Sequence, residues 1–398
     1  MDSILHHDLN IEKTQKNRAK ERFVSSLRAF VLNDLAGELR NDYDNVALPK
    51  SIESGAEMAS NGMDVHRLLK GRDVFNFYSS LRCTAQELVW NSVIDSVEQQ
   101  AEHLDSQFEA LSAAAAQGSL TLNAELEIPR YMSAVDVHLM PGNYDGREAA
   151  QTVLPGAVYD NGFNVFAFGA MGKELNDIGC SMANFIRLSR PELAPTRIVD
   201  VGCTIGHNTV PWKQTFPDAE VHGVDIAAAS LRYAHARAES MGVDIHFHQQ
   251  RAESLDFEDA SVDIVFSSMF LHELPQKAIR AFLAEAHRIL KPGGLMLHME
   301  LPPNAALSAF DQFYLDWDGY YNNEPFYKNF RDQDYAELCT TAGFHADAFF
   351  ESVMPRYTYV PEAQFAAAIG ATAEFDEDTG RLSDGIQWYG FGAQKEAA

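Results

Sequence analysis

From Ile11 to about Gln117 apolar residues recur at three- and four-residue steps, and Phe23, Val24, Leu27, Phe30, Val31, Leu35 and Leu39 fall within such a series. The spacing predicts a long amphipathic helix whose stripe must be buried against other elements. Asn41 to Gly62, rich in Asn, Ser and Gly and containing Pro49, reads as an irregular connection. A second long helix is expected after it. Thr84, with Glu87 three positions on, has the form of a capping box, and Leu88, Val89, Val93, Ile94 and Val97 then supply an apolar stripe. The run Ala113 to Ala116, followed by Gly118, closes it, so residues 1–120 read as an N-terminal helical domain.

Over residues 121–195 short apolar runs alternate with turn signals, among them Pro141-Gly142-Asn143-Tyr144-Asp145-Gly146 and Asp160-Asn161-Gly162. This stretch reads as a connecting or cap segment. After Pro195 short β-branched runs alternate with amphipathic helical stretches, the pattern of βαβ units and a parallel sheet. Residues 196–398 are therefore expected to be an α/β domain.

Composition narrows the partners. The 398 residues carry 31 Lys and Arg against 57 Asp and Glu, a formal charge of −26. Binding to nucleic acid or to an anionic membrane depends on clustered cations, and this balance opposes both. The acceptor or ligand is expected to be a small molecule, neutral or cationic. Cys83, Cys180, Cys203 and Cys339 lie too far apart for a zinc site or a disulfide scaffold and fit a reducing, cytoplasmic setting. Met1 to Asn10 is polar, and no segment approaches the roughly 18 unbroken apolar residues of a membrane span. The adjacent His6 and His7 read as solvated, and no metal is expected.

Arg197-Ile198-Val199-Asp200-Val201 is a strand candidate that runs into Gly202-Cys203-Thr204-Ile205-Gly206 and then a helix from His207. A glycine turn between strand and helix lets the backbone approach a ligand closely. A second short strand, Glu220 to Asp225, ends in an acid 25 positions after Asp200, where a doubly wound sheet presents a carboxylate to ribose hydroxyls. The plainer role for Asp225 is the N-cap of the following helix.

These segments resemble the class I S-adenosylmethionine-dependent methyltransferases, in the family's order. Val199 to Gly206 is similar to the acidic-glycine loop that holds the amino acid part of the cofactor, and Val221 to Ile226 to the second strand, with Asp225 at the ribose. Asp263 to Leu274 resembles the fourth strand and its outgoing loop; Glu285 to Gly294 resembles the helix and turn before a fifth strand at Leu295 to Leu301, and a closing strand is expected at Ile386 to Gln394. The nearest branch is the small-molecule one that includes the ubiquinone and menaquinone C-methyltransferases. The resemblance implies a Rossmann-like, doubly wound, mostly parallel seven-stranded sheet and S-adenosylmethionine as cofactor. It assigns Asp200, Gly202, Cys203, Thr204, Gly206, Asp225, Ile226, Ala252, Glu253 and Ser268 to cofactor binding. Two departures stand out: Thr204 replaces the usual middle glycine, and Arg251 occupies the position where an adenine-facing Asp is common, leaving Gln250, Ala252 or Glu253 to substitute.

Methyl transfer is an in-line displacement, so alignment and water exclusion are the main demands. His272 and Glu273 leave the fourth strand at the edge of the crevice and are the catalytic candidates, His272 as general base or as a packing residue. Phe310 to Tyr335 holds ten aromatics in 26 residues, against 11% in the whole chain. It reads as a lid insertion at about 302–335 that offers a partly apolar pocket wall, or as packing against the N-terminal helices. Tyr144, Tyr159, Met269, Tyr314, Trp317, Tyr320 and Tyr321 are the acceptor-binding candidates. The N-terminal domain closes one side of the pocket, forms a homodimer interface, or is an appendage. Three functions compete: a biosynthetic small-molecule methyltransferase, a methyltransferase-like binding or regulatory subunit without turnover, and a nicotinamide-dependent dehydrogenase. The last wants Gly-x-Gly-x-x-Gly, which Gly202 to Asn208 does not supply.

Overall fold

The computed structural model describes residues 7–55, 57–115, 117–144, 151–369 and 387–397. His6, Ala116, the Asp145-Gly146-Arg147 turn and Ile386 lie outside the described residues.

One mixed sheet organises the chain. Its strands are β1 (Ser119–Thr121), β2 (Arg197–Val201), β3 (Glu220–Asp225), β4 (His246–Gln249), β5 (Val262–Ser268), β6 (Leu290–Glu300), β7 (Phe349–Pro355) and β8 (Gln387–Gln394). Their order is β1-β4-β3-β2-β5-β6-β8-β7. All neighbouring pairs are parallel except those of β8 with β6 and with β7. The order reverses between β2 and β5, which opens a crevice beyond the carboxyl ends of these strands. Buried aliphatic residues on the two faces of β2 and β5, such as Ile198 and Ile264 against Val199 and Val265, form separate cores under two helical layers.

Among the described residues the sheet has eight strands rather than seven. The additional one, β1, pairs along the outer edge of β4 through Ser119–His246 and Thr121–His248. Three residues are too few for a period-two pattern to announce a strand.

The N-terminal region is more continuously helical than its composition suggests. Gln15–Phe30 begins at a capping box made by Thr14 and Asn17. It continues through a π-turn at Val31–Leu35, the helix Ala36–Asp42, a second π-turn at Tyr43–Ala47 and the helix Leu48–Glu53. The expected irregular connection from Asn41 therefore begins only after Glu53. Pro49 sits in the first turn of its segment, where a missing N–H costs nothing. Val24, Val31, Leu35 and Leu39 are buried as expected, whereas Phe23 and Phe30 are exposed.

The second long helix runs over Asp73–Glu98, so Thr84 lies in its interior and caps nothing. Its buried face includes Arg82 and Gln86 between Tyr78 and Val89, and these polar residues interrupt the apolar series that would have marked the true start. Among the described residues the connecting segment also contains two thirteen-residue helices, Leu154–Phe166 and Asp177–Ser189, besides the short Arg130–Ser133 and Val137–Leu139. Asp160-Asn161-Gly162 is buried within the first of them instead of forming a turn.

Gly162 is the contact point between that helix and Asp73–Glu98. A Cβ placed there would meet the Trp90 ring at 2.6 Å. Gly162→Val is expected to cost about 1–3 kcal/mol by overpacking, read as a lower urea midpoint with an unchanged slope. A wild-type midpoint would show that the two helices do not meet in this way.

In the lid region, the helices Ala309–Tyr321 and Tyr327–Arg331 follow β6. Phe310 and Phe313 are buried with Val31, Leu35, Phe75 and Tyr78, so the first of these helices is packed onto the N-terminal domain. Among the described residues no helix is long and apolar enough to cross a membrane.

Candidate functional site

A cavity of about 380 Å³ lies at the sheet's reversal point, lined by the loops after β2, β3, β4 and β5 together with the N-terminal and lid helices. Its size and mixed lining suit a small-molecule ligand.

The loop after β2 has the shape that a close-approaching ligand needs. Gly202 has φ 78°, and a Cβ on it would lie 2.4 Å from the Phe270 ring. The Gly202 and Cys203 N–H groups donate to the Val224 carbonyl at 2.8 and 3.1 Å, tying the loop to β3. Thr204 keeps a left-handed backbone with φ 50°, so the usual glycine's conformation survives in a residue that bears a side chain. That costs about 1–2 kcal/mol, offset in part by its N–H bond to Asp225 Oδ2 at 2.8 Å. Gly206, φ 70°, faces Phe247 and Ala234 and supports the loop from behind instead of lining the cavity.

Asp200 and Asp225 close this half. Asp200 is buried, accepts a bond from Thr209 Oγ1 at 2.6 Å, and has its carboxyl pushed up to about 7 by burial, the Asp225 charge adding to the effect. Burial also raises Asp225, against the pull of the Thr204 and Ala227 N–H groups. Two desolvated carboxylates beside a cavity favour a ligand that brings positive charge and hydroxyl donors. Asp225 accepts the Ala227 N–H at 2.9 Å, but the following helix Ala228–Ser240 has Ala227 itself as its N-cap and no side-chain cap, so Asp225 is a cavity-lining residue and not the N-cap.

Cys203, Thr204, Ile226, Gln250, Ala252, Glu253 and Ser268 also line the cavity. Arg251 does not; it pairs with Glu253 at 3.1 Å, and Tyr131 donates to the same carboxylate at 2.7 Å. S-adenosylmethionine fits these residues: the glycine loop that lines the cavity, the buried Asp200 and the partly buried Asp225 match a cationic amino acid and a ribose.

The other half of the cavity has an aromatic wall and a charged floor. Tyr144 and Tyr159 line it with rings 5.7 Å apart, and Phe163 stacks on Tyr159 at 5.4 Å. Met269, φ 49°, lies at its rim. On the floor, His272 Nδ1 meets Glu300 Oε2 at 2.6 Å, while its Nε2 is 3.8 Å from Glu273 and 4.0 Å from Glu324. Burial alone would lower the His272 proton affinity, but Glu300, with Glu273 and Glu324, raises it to about 9. His272 is thus an imidazolium at neutral pH and has no free site for a proton. This disfavours the general-base alternative for His272 and leaves its packing role.

His138 was missed by sequence reasoning. It bridges Glu273 at 3.3 Å and Glu324 at 3.2 Å from a left-handed backbone with φ 55°. Burial opposes its protonation, yet the two carboxylates raise its proton affinity above the ordinary histidine value. Burial pushes Glu324 up to about 7, with His138 pulling the other way.

The lid's contribution differs from the expectation. Tyr314, Trp317 and Tyr321 pack onto the N-terminal cluster and Tyr320 is largely exposed, so none of the four lines the cavity. The opposite face of the same helix does, through Leu315 and Asp318, followed by Asn322, Glu324 and Tyr327. The helical period explains the exchange: residues 310, 313, 314, 317 and 321 share one face, and residues 315, 318 and 322 share another. From the N-terminal helical region Arg28 reaches the cavity, so that region contributes to its wall. Arg28 and Arg82 had a visible signal, since each interrupts a series of apolar positions on a buried helical face. His138 and Glu324 had none. Among the described residues no cluster of potential metal ligands is found.

Comparison with known proteins agrees with this geometry. A family described as a methyltransferase domain matches residues 198–294. Malonyl-[acyl-carrier protein] O-methyltransferase 1 of Coxiella burnetii is 29% identical over 205 residues, covering 51% of this chain and 63% of that protein. Demethylmenaquinone methyltransferase of Thermus thermophilus is 34% identical over 114 residues, covering 28% of this chain and 50% of that protein. The chain thus spans less than two thirds of the length of either relative. Phosphoethanolamine N-methyltransferase 2 of Haemonchus contortus, solved with S-adenosyl-L-methionine, is 20% identical with a TM-score of 0.37, over 55% of this chain and 52% of that one. The strand order, the glycine loop with its two acids and the sequence match over residues 198–294 together identify a class I S-adenosylmethionine-dependent methyltransferase domain in this chain.

Proposed function

We propose that this protein transfers the methyl group of S-adenosylmethionine to a small, partly apolar acceptor in a biosynthetic pathway. The observation that carries the reading is that one cavity is lined both by the glycine loop with its two acids and by an aromatic and charged set, Tyr144, Tyr159, Phe163, His272, Glu273 and Glu324. Asp200, the Gly202–Thr204 backbone and Asp225 would hold the cofactor, and Gln250, Ala252 and Glu253 would border its base. When bound, S-adenosylmethionine supplies an electrophilic methyl group. The chain's own work is to align the acceptor against the Tyr144 and Tyr159 wall, exclude water and remove one proton from the nucleophile.

For that proton we assign Glu324 in place of His272. Glu324 is buried, lines the cavity, and its Oε2 has no hydrogen-bond partner. An acid near 7 is half-ionised at neutral pH, a suitable value for a general base. His138 and His272 keep the surrounding carboxylates from repelling one another.

kcat/KM is accordingly expected to rise with pH through about 7, as the Glu324 carboxylate forms. Glu324→Gln should lower kcat by roughly 100-fold or more and remove that limb of the profile. An unchanged limb in the variant would move the base elsewhere. The reading as a whole is tested by calorimetric titration with S-adenosylhomocysteine, followed by transfer of radiolabelled methyl from S-adenosylmethionine to a panel of phenols, amines and hydroxy acids. Binding with no transfer to any of them would favour the alternative of a binding subunit without turnover; absence of binding would end both readings.

A further inference from the structure

We infer that the acceptor carries a carboxylate, and that Arg28 is its anchor. The identification of the bound anion as the acceptor rests on the methyl-transfer reading; the anion site itself does not.

Arg28 belongs to the helix Gln15–Phe30 and is only 3% exposed, on the same face as the buried Val24, Val31 and Leu35. A guanidinium has five N–H donors. Nε donates to the Phe166 carbonyl at 2.7 Å, and Nη1 donates to Gln86 Oε1. Among the described residues Nη2 has no hydrogen-bond partner and Arg28 makes no ion pair, although the side chain lines the cavity.

Arg82 is an internal control. It is equally buried and donates to the same Gln86 oxygen at 3.2 Å, yet it also meets Asp318 at 2.7 Å and Asn322 Oδ1 at 2.6 Å. Two guanidinium groups therefore share one carboxylate. Burial and the neighbouring Arg82 lower the Arg28 proton affinity to about 9, and Asp318, which Arg82 already holds, offsets this only in part.

Part of Arg28's role is structural, since it carries the last carbonyl of the helix Leu154–Phe166 and lies 3.9 Å over the Phe166 ring. A neutral donor would serve that carbonyl as well. The one carboxylate that acts on Arg28, Asp318, is already hydrogen-bonded to Arg82, and a buried cation without a direct ion pair is costly unless a ligand completes it. The N–H donors left on Nη2 and on Nη1 beyond its bond to Gln86 suit the two oxygens of a carboxylate. A phosphate dianion suits the cavity less well, because Asp318, Glu273 and Glu324 line it too. The acceptor is thus a small carboxylic acid whose apolar body lies along the aromatic wall and whose hydroxyl or amine reaches Glu324. The net charge of −26 suggested a neutral or cationic acceptor, but it sums the whole chain and is silent about a single buried cation.

The test uses three acid–amide pairs matched in shape: 4-hydroxybenzoate, phenylacetate and hexanoate against their amides. Each is titrated calorimetrically into the full chain saturated with S-adenosylhomocysteine. At least one acid is expected to bind tenfold or more tightly than its amide. Arg28→Gln should bring that ratio to within twofold while leaving S-adenosylhomocysteine affinity within twofold of wild type. Arg28→Lys, which keeps the charge without the fork, should retain part of the ratio and guards against a glutamine variant that fails to fold. The inference is overturned if no acid exceeds its amide, or if the Arg28→Gln ratio equals that of wild type. Should S-adenosylhomocysteine itself not bind, the methyl-transfer reading falls, and the same acid–amide comparison on the protein alone still decides the anchor.

Discussion

Glu300→Gln is expected to remove about 3–5 kcal/mol of stability, with a distinctive pH dependence. Glu300 ends β6 and accepts three bonds: the Phe270 N–H at 2.8 Å, the Leu271 N–H at 2.6 Å and His272 Nδ1 at 2.6 Å. One buried carboxylate thus fixes the loop after β5, which carries Met269, His272 and Glu273 to the cavity. Glutamine keeps an acceptor oxygen but loses the charge that pairs with a buried imidazolium. Burial disfavours the His272 cation, and Glu300 is the main reason its pKa nevertheless stands at about 9. A basic group raised in this way stabilises the fold fully below its unfolded value near 6.5 and loses that contribution as pH rises through about 9. Wild-type unfolding free energy should therefore fall by about 3 kcal/mol more than the variant's between pH 6 and pH 9.5, the other buried groups that titrate in this window, Asp200 and Glu324 among them, contributing alike to both. Urea unfolding at both pH values decides it. Parallel slopes in the two proteins would mean that the pair does not stabilise the loop.

Asp225→Asn should weaken S-adenosylhomocysteine binding by about 2–4 kcal/mol, roughly two orders of magnitude. Asparagine keeps the size of the side chain and can still accept one of the bonds from Thr204 or Ala227, which limits collapse of the loop. The charged acceptor for two ribose hydroxyls is lost, and a buried amide nitrogen now faces donors. Because burial raises the Asp225 carboxyl above its ordinary value, wild-type affinity should also decline on the acid side before an exposed carboxylate would titrate. Calorimetry at neutral pH is sufficient for the main effect. A dissociation constant within threefold of wild type would take Asp225 out of the ribose site.

The two halves of the cavity were unequally legible. The cofactor half comes from contiguous segments, each a strand that ends in a loop at the same edge of the sheet. Asp200 to Thr204 and Asp225 could be read in order because the backbone shape they need leaves glycines and acids at fixed offsets from β-branched runs. The acceptor half is assembled from Arg28, His138, Tyr144, Tyr159, His272, Glu273, Asp318 and Glu324, which span nearly 300 residues. No spacing rule joins them. The aromatic run after β6 shows how density misleads: its large rings pack onto the N-terminal core, and smaller polar residues on the other helical face reach the cavity.

The sequence alone determined the doubly wound sheet, the cofactor loop and the helical character of the N-terminal region, because those follow from local periodicity and turn chemistry. Tertiary structure decided which helical face meets the cavity, that a left-handed Thr204 replaces a glycine, and that His272 is held as a cation by Glu300 from a neighbouring strand. It also decided that Arg28, 3% exposed in a helix far from the sheet in sequence, stands in the cavity with no carboxylate of its own. Burial and charge pairing are set by residues brought together from distant parts of the chain, and a one-dimensional pattern does not contain those distances.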